Sequence, residues 1–482
     1  LPSYNWWNEG LHGVARAGTA TVFPQAIALA AAFDKDMMYR VGEVISTEAR
    51  AMYNSAAKHG DTDIYKGLTL WAPNINIFRD PRWGRGHETY GEDPYLTARM
   101  GVAYVHGIQG SGKALRAAAC AKHFAVHSGP ESLRHEFDAR VSEKDLEETY
   151  LPAFKALVKE GRVEGVMGAY NRVNGEPSCA SEKLMGKLRE WGFDGYFVSD
   201  CGAIRDFHTN HKITDTAPQS AAMALKAGCD VNCGNTYLHI LAALEEGLIT
   251  KQDIRTACIH ALRTRIRLGQ LDDNEFDDLP FDIIACDGNK ALSLEAAEKS
   301  MVLLHNDGIL PLDKSRISSI AVIGPNADSR AALLGNYEGT PDRSVTFLEG
   351  IQDAFDGRVY YAEGCQLFRD RTQGLALPGD RYAEAVAACE AADVTVVCVG
   401  LDSTLEGEEG DTENKSGDKP DLRLPEVQRV LLQKLKDTGK PLIIVLAAGS
   451  SVNTECEGNA LINAWYPGQY GGKALAEILF GE

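Results

Sequence analysis

One acidic residue near the middle of the chain directly follows a short apolar run. Residues 196–198 favour a β-strand, Asp200 comes just after them, and Gly202 allows the chain to turn away tightly. In parallel α/β folds, the side chains that carry chemistry gather at the carboxyl ends of the strands. Asp200 could serve there as a nucleophile, a general base or a metal ligand. Taken alone, it fits equally well as a cap of the following helix.

Other charged and aromatic side chains also lie beside strand-like runs. They are Trp6, Trp7, Glu9 and His12, then Arg82, Trp83, Arg85, Glu88, Tyr90 and Asp93, then Lys122 with His123, and Tyr170 with Asn171. Sugars present apolar C–H faces and hydroxyl rims, so their sites combine aromatic platforms with charged and amide groups. Each group also has a structural explanation: a buried Lys–His pair, an Arg–Glu ion network, or core tryptophans. Because the groups accompany strand ends together, we favour a sugar site.

Composition restricts the partners. The 482 residues are 44% hydrophobic and 24% charged, which is typical of a globular chain and long enough for two domains. The 49 basic and 68 acidic residues give a net charge of −19, which disfavours nucleic acid and anionic membranes as partners. No apolar run reaches the roughly 18 residues that a membrane span needs.

The cysteines and glycines give no indication of a bound cofactor. Cys229 and Cys233 have no second pair at zinc-site spacing, and no segment carries the three-glycine dinucleotide fingerprint. We therefore expect neither a metal nor a cofactor. Cys179, Cys201, Cys229 and Cys233 lie near predicted strand ends, where one or two disulfides could form.

Strand-like and helical runs alternate over the first 270 residues. The predicted strands are 68–73, 117–123, 165–170, 196–200 and 227–231, and the predicted helices are 95–109, 143–159, 181–190 and 220–226. This alternation favours a parallel sheet, most economically a (β/α)8 TIM-type barrel over residues 1–270.

A second α/β unit is predicted after an acidic linker at 271–295. Residues 296–482 contain predicted strands at 320–323, 394–398 and 442–446, with helices at 383–392 and 425–437. We expect a three-layer α/β/α sandwich. Residues 406–421 are acidic and rich in glycine, which indicates a surface loop.

Four motifs identify a family. Their sequences are Tyr-Asn-Trp-Trp-Asn-Glu-Gly-Leu-His-Gly at 4–13, Arg-Asp-Pro-Arg-Trp-Gly-Arg at 79–85, Lys-His-Phe at 122–124 and Val-Ser-Asp-Cys-Gly at 198–202. In this order they resemble glycoside hydrolase family 3, especially its β-xylosidase branch. The resemblance extends over essentially the whole chain and implies the barrel and sandwich described above, with the active site between them.

The resemblance implies roles for residues of the first domain. Asp200 would be the nucleophile, and Tyr170 matches the tyrosine that contacts it. Arg85, Lys122 and His123 would bind hydroxyls of the sugar in subsite −1.

The acid/base group would come from the second domain. Three carboxylates crowd the matching segment, and its register favours Glu408, with Glu406 next and Glu409 beside them. We expect like-charge neighbours to raise the pKa of the acid, which suits a group that must hold a proton near neutral pH. The loop at 406–421 must then fold over the barrel mouth.

Glu9 occupies a position where the family's β-glucosidases usually carry Asp. Its longer side chain would fill the space that a hydroxymethyl group needs, so a pentose would fit and a hexose would clash. The expected activity is that of a retaining, exo-acting β-1,4-xylosidase that releases xylose from the non-reducing ends of xylo-oligosaccharides.

Several alternatives remain open. A β-glucosidase or a bifunctional α-L-arabinofuranosidase/β-xylosidase would use the same residues, and a catalytically inactive sugar-binding protein could share the fold. A homodimer is a candidate assembly. The chain opens on Leu1 rather than Met, so we expect residues upstream and favour a secreted or periplasmic location over a cytoplasmic one.

Overall fold

Two large sheets follow one another along the chain in the computed structural model, which describes residues 2–370, 377–413 and 415–482. They belong to two α/β domains. Within those ranges, no helix combines the length and the apolar character that crossing a membrane requires.

The first domain is built around five parallel strands in the order β1-β2-β4-β7-β8. Its strands are β1 (Thr69–Leu70), β2 (Ala118–Phe124), β3 (Asp138–Ala139), β4 (Gly165–Gly168), β5 (Arg172–Val173), β6 (Glu176–Pro177), β7 (Tyr196–Ser199) and β8 (Val231–Asn232). The short strands β3, β5 and β6 form a separate small sheet. The prediction of parallel strands is confirmed, whereas a closed eight-stranded barrel stays a prediction.

Helices cover the outside of this sheet and bury its apolar core. They are α1 (Ala26–Ala31), α2 (Lys35–Lys58), α3 (Pro94–Gln109), α4 (Glu143–Asp145), α5 (Pro152–Lys159), α6 (Glu182–Glu190), α7 (Ala203–Thr209), α8 (Ala217–Ala227), α9 (Ile240–Glu245) and α10 (Lys251–Arg267). Side chains fix where several begin: Asp34 caps α2, Asp93 caps α3 ahead of Pro94, and Ser181 caps α6.

One predicted helix is interrupted. The segment 143–159 consists of α4, a π-helical turn at Leu146–Tyr150, and α5. The break falls where Pro152 has no backbone N–H to continue the helical hydrogen bonds.

In the described part of the second domain, six strands form a sheet in the order β11-β10-β12-β13-β14-β9, of which only β9 is antiparallel. The strands are β9 (Val302–Asn306), β10 (Ser319–Ile323), β11 (Arg358–Ala362), β12 (Val394–Gly400), β13 (Leu442–Ala447) and β14 (Ala460–Asn463). The helices are α11 (Asp287–Ser300), α12 (Phe347–Ala354), α13 (Asp380–Ala391), α14 (Glu426–Asp437) and α15 (Gly471–Phe480).

Successive residues of these strands enter two different cores. Ile320 and Val322 pack with side chains of α12 and α15, whereas Ala321 and Ile323 pack with those of α13 and α14. Both faces of the sheet are therefore covered, as expected for strands that are apolar throughout. The predicted linker at 271–295 is not loop throughout, because α11 begins at Asp287.

Candidate active site

Asp200 lies directly after β7, where its backbone N–H still bonds to the carbonyl of Gly168 at the end of β4. The residue is 8% exposed. Its Oδ1 accepts a hydrogen bond from the backbone N–H of Cys201 at 2.8 Å. Its Oδ2 accepts none from the residues that the structure describes. The N-cap of α7 is Gly202, so the helix-cap explanation of the Asp200 side chain is wrong.

The environment of Asp200 favours its neutral form more than water does. Burial raises the pKa of Asp200, the Arg85 charge opposes this, and the Glu408 charge adds to it; the net shift is upward. A disulfide joins Cys201 to Cys233, which follows β8, and so ties the segment after Asp200 to the neighbouring strand. This is one of the bridges that the cysteine positions allowed.

His123 links Asp200 to Arg85 at the end of β2. Its Nε2 lies 3.6 Å from Asp200 Oδ2 and 3.3 Å from Arg85 Nη2. Its Nδ1 faces Asn76 Oδ1 at 2.9 Å, which favours the tautomer with the proton on Nδ1. Burial and the Arg85 charge lower the pKa of His123 well below its ordinary value, so the ring is neutral.

Arg85 is a buried guanidinium that contacts two carboxylates in addition to His123. It makes a two-pronged contact with Glu88, with Nε–Oε1 and Nη2–Oε2 both 2.9 Å. Its Nη1 lies 3.4 Å from Glu408 Oε1. The structural ion network that the sequence allowed is therefore present for Arg85 and Glu88. Asp93 instead caps α3, and Arg82 pairs with Asp80.

Glu9 and Lys122 face each other beside this cluster. Glu9 is 2% exposed; its Oε1 accepts a hydrogen bond from the Trp7 indole at 2.9 Å, and its Oε2 lies 3.6 Å from Lys122 Nζ. Burial raises the pKa of Glu9, although Lys122 opposes the shift. The Trp7 ring stacks on Trp71 with centroids 5.8 Å apart, so two stacked indoles lie beside the cluster.

Tyr170 follows β4 and packs against two residues of a polar turn. The His135 ring lies edge-on to it at 4.6 Å, and the Arg134 guanidinium lies 4.8 Å from the ring centroid. Burial and the nearby Asp200 charge raise the pKa of Tyr170 well above its ordinary value, so its phenol keeps the proton.

Glu408 reaches this cluster from the second domain. Its Oε1 accepts from Arg134 Nη1 at 2.5 Å, and its Oε2 accepts from the Tyr337 hydroxyl at 2.8 Å. Burial acts to raise the pKa of Glu408, but Arg85 and Arg134 outweigh it and hold that pKa well below its ordinary value. The expectation of a raised pKa is therefore wrong for the free protein, because arginines rather than carboxylates surround the group.

Glu406, the second candidate, lies in a different environment. It is fully buried, and its oxygens accept hydrogen bonds from Tyr466 at 2.6 Å, from the Gly449 backbone at 2.5 Å and from Ser450. Lys419 lies 3.6 Å away. These partners all belong to the second domain, so Glu406 anchors the loop there, whereas Glu408 faces the first domain.

Three residues around the cluster carried no clear sequence signal. Arg134 lies in a polar turn after β2, and this run of polar residues after a strand is the one sequence feature that could have pointed to it. Asn76 and Tyr337 lie in loops without a motif. Tyr337 also comes within 4.5 Å of Lys122 Nζ, measured to its ring centroid. Only the fold brings these side chains to Asp200 and Glu408.

Comparison with known proteins gives matches over both domains. The description "Glycosyl hydrolase family 3 N terminal domain" fits residues 6–265, and "Glycosyl hydrolase family 3 C-terminal domain" fits residues 301–482. "Probable beta-D-xylosidase 7" of Arabidopsis thaliana is 40% identical over 100% of this chain. The chain spans 64% of that relative's length.

Solved structures are similar over nearly the whole chain. A "GH3 exo-beta-xylosidase (XlnD) in complex with xylobiose aziridine activity based probe" has a TM-score of 0.92 and 34% identity, covering 100% of this chain and 63% of that one. The "b-glucosidase EmGH1" from Erythrobacter marinus has a TM-score of 0.88 and 32% identity, covering 98% and 65%. On the matches to both domains and on these identities, the chain belongs to glycoside hydrolase family 3.

Proposed function

We propose that this chain is a retaining, exo-acting β-glycosidase, namely a β-1,4-xylosidase that releases xylose from the non-reducing ends of xylo-oligosaccharides. The observation that carries the proposal is the meeting of two carboxyl groups from different domains. Asp200 and Glu408 are linked by two intervening side chains, His123 and Arg85, in one buried cluster. The β-xylosidases among the similar proteins support the choice of sugar.

In the proposed mechanism, Asp200 Oδ2 attacks the anomeric carbon as the bond to the leaving oxygen breaks. Glu408 gives its proton to that oxygen, and a covalent glycosyl ester forms on Asp200. Glu408, now ionised, takes a proton from water, whose oxygen displaces the ester and releases the sugar. We predict a carboxyl separation of about 5–5.5 Å with the sugar bound, because roughly 6.5–9.5 Å would indicate inversion.

The charge state of Glu408 must change within this cycle. Arg85 and Arg134 favour its ionised form in the free protein, which suits the second step but not the first. A sugar that covers Glu408 would remove water from its remaining 19% exposed side-chain surface. Further burial raises the pKa of a carboxyl group, so substrate binding itself would favour the proton that the first step needs.

We propose that the pocket binds the sugar hydroxyls through Arg85, Lys122, His123 and Glu9, with Tyr170 against the nucleophile. Glu9 Oε2 is buried and receives no hydrogen bond from the described residues, so it can accept one from a hydroxyl. Trp7 and Lys122 hold this carboxylate in place. A hydroxymethyl group at C5 would meet it, which favours a pentose over a hexose.

We also infer the domain organisation that the sequence indicated. Residues 1–270 would form a (β/α)8-type barrel, 271–295 the connection, and 296–482 a three-layer sandwich. The parallel order of the five strands supports the first, and the two apolar cores of the six-stranded sheet support the last. The partner would be a small carbohydrate. A homodimer remains an expectation, which light scattering can test.

A panel of 4-nitrophenyl β-xyloside, β-glucoside and α-L-arabinofuranoside tests the function, with product stereochemistry followed by NMR. We expect β-xyloside hydrolysis with β-xylose as the first product. Faster glucoside hydrolysis would favour the β-glucosidase alternative, which the similarity to the Erythrobacter marinus enzyme supports. Comparable arabinofuranoside hydrolysis would indicate the bifunctional enzyme. Binding of xylose without any hydrolysis would favour the inactive sugar-binding protein.

A further inference from the structure

Two neighbouring residues of the loop that carries Glu408 face opposite domains. This loop, called the Glu408 loop below, connects β12 to α14 over residues 401–425. The Lys419 ammonium bonds to the Ser451 carbonyl at 3.1 Å and to Ser450, within the second domain. The Asp418 carboxylate instead accepts hydrogen bonds from two backbone N–H groups of the first domain. The loop is thus held on both sides at one point.

The two N–H groups belong to the segments that carry the arginines around Glu408. Asp418 Oδ1 lies 2.9 Å from the N of Gly84, the residue before Arg85. Asp418 Oδ2 lies 2.9 Å from the N of Glu131, which begins the turn that leads into Arg134. One carboxylate therefore connects both arginine segments, and it does so from the same loop as the carboxylate that those arginines contact.

The backbone of the Glu408 loop passes so close to Gly84 of the first domain that no side chain fits between them. A Cβ on Gly84 would lie 2.1 Å from the Gly417 carbonyl oxygen and 2.3 Å from that of Gly407. The Gly407 N–H bonds to the Gly417 carbonyl at 3.1 Å, and the Lys419 N–H bonds to the Arg82 carbonyl at 2.9 Å. These contacts hold the loop segments before and after Glu408 against the first domain.

We propose that Asp418 is a positioning residue that fastens the Glu408 loop to the segments of Arg85 and Arg134, and so sets where Glu408 stands relative to Asp200. The part concerning Glu408 as acid/base rests on the function proposed above. Asp418 acts through Gly84 and Glu131, and none of its hydrogen bonds to the described residues reaches Asp200 or Glu408. Both of its oxygens face N–H donors, so an amide can replace only one of them: its NH2 would face an N–H.

The experiment compares Asp418→Ala and Asp418→Asn with Asp421→Ala. Asp421 is a matched control from the same loop, since it is 43% exposed and pairs only locally, with Arg423. Hydrogen exchange followed by mass spectrometry reports on the loop without needing activity. We expect faster exchange in residues 401–425, 79–90 and 128–137 in Asp418→Ala, a smaller effect in Asp418→Asn, and wild-type exchange in Asp421→Ala. Unchanged exchange in Asp418→Ala would overturn the proposal.

A kinetic comparison then tests the effect on Glu408. For Asp418→Ala, we expect kcat/KM to fall roughly ten- to a hundredfold for an alkyl xyloside, a poor leaving group, and much less for 2,4-dinitrophenyl xyloside. Equal loss on both substrates would mean damage to the fold alone and would contradict positioning of Glu408. If wild-type protein hydrolyses no glycoside, the proposed function fails, and the exchange result alone decides whether Asp418 fastens the loop.

Discussion

At the scale of single residues, the cluster stabilises its carboxylates unequally. Glu88 accepts hydrogen bonds from Arg85, Asn74 and Asn336, and Glu408 accepts them from Arg134 and Tyr337. Among the described residues, Asp200 accepts a hydrogen bond only from the Cys201 backbone N–H, on one oxygen, and its pKa is raised. The carboxylate that its surroundings stabilise least is the most nucleophilic of the three, which suits the proposed role of Asp200.

The first prediction concerns Asp200 itself. Asp200→Asn should abolish aryl-xyloside turnover, because an amide oxygen cannot form the glycosyl ester, while the Cys201 N–H keeps an acceptor. Circular dichroism and the melting temperature should stay close to those of the wild type, since Oδ2 accepts no hydrogen bond from the part of the chain that the structure describes. A variant with near-wild-type turnover would remove Asp200 from the mechanism.

The second prediction separates the two glutamates. Glu408→Ala should slow xylosides with poor leaving groups far more than activated aryl xylosides, because only the former need a proton from the protein. Azide should restore part of the rate, since it needs no general base to attack the intermediate. The measurement is kcat/KM across a leaving-group series with and without azide.

Glu406→Ala provides the contrast. It leaves the Tyr466 hydroxyl and the Gly449 N–H buried without their acceptor, and Lys419 buried without its counter-ion, which should cost on the order of 3–5 kcal/mol of unfolding free energy. We expect a lower melting temperature and no azide rescue. Azide rescue of Glu406→Ala but not of Glu408→Ala would exchange their roles.

The third prediction uses the charge of Arg134. Arg134 lowers the pKa values of both Glu408 and Asp200, so Arg134→Met should raise both. Activity requires one of these groups protonated and the other ionised, hence both limbs of the pH profile of kcat/KM should move to higher pH. Arg99→Met, which removes a surface arginine paired with Glu160, should leave the profile in place. If both limbs of the Arg134→Met profile stayed at their wild-type pH, Arg134 would not set the pKa values of these two carboxyl groups.

At the scale of elements, the strands with long apolar runs could be predicted, and the loops between them could not. The run at 196–200 ends in Asp200, the proposed nucleophile, so the same pattern predicts both β7 and the candidate site residue. The strands β9 and β11 escape the pattern because they carry exposed or polar residues at the two edges of the sheet. The strand β14 is buried inside the sheet, but its four residues are too few to form a clear apolar run. Tyr337 meets Glu408 across 71 positions of sequence, a pairing that no local pattern encodes.

The fourth prediction concerns the glycine at which the Glu408 loop crosses the first domain. Gly84→Ala would place a Cβ at 2.1 Å from the Gly417 carbonyl oxygen, so the loop must move and carry Glu408 with it. We expect kcat/KM for alkyl xylosides to fall by about tenfold or more. Gly186→Ala in α6 is the control: nothing lies within 4 Å of its new Cβ, so it should stabilise the helix by about 0.5–1 kcal/mol without a kinetic effect. Wild-type kinetics in Gly84→Ala would mean that the Glu408 loop can shift at Gly84 without displacing Glu408.

At the scale of the whole molecule, α11 joins the domains by packing against both. It contacts α1 and α2 of the first domain and α15 of the second. On its α15 side, Glu298 meets Glu477, with Lys473 and Glu295 as the other charged neighbours. Burial and a hydrogen bond to Glu477 raise the pKa of Glu298 to about 7. Glu298, with its raised pKa, and Glu477 therefore lie in the contact of a helix that connects the domains.

The fifth prediction follows from the raised pKa of Glu298. Glu298 holds its proton up to about pH 7 in the folded state, whereas an unfolded glutamate releases its proton near pH 4.5. Folding therefore favours proton uptake between these values, and the contribution to stability is lost as the pH rises through that window. Glu298→Gln keeps a donor for Glu477 at every pH, so its melting temperature relative to wild type should rise from pH 5 to pH 9. Glu245→Gln, an exposed change on α9, should give no such trend. If the difference in melting temperature between Glu298→Gln and wild type stayed constant across this range, the pKa of Glu298 would not be raised, and the contact between α11 and α15 would be insensitive to pH.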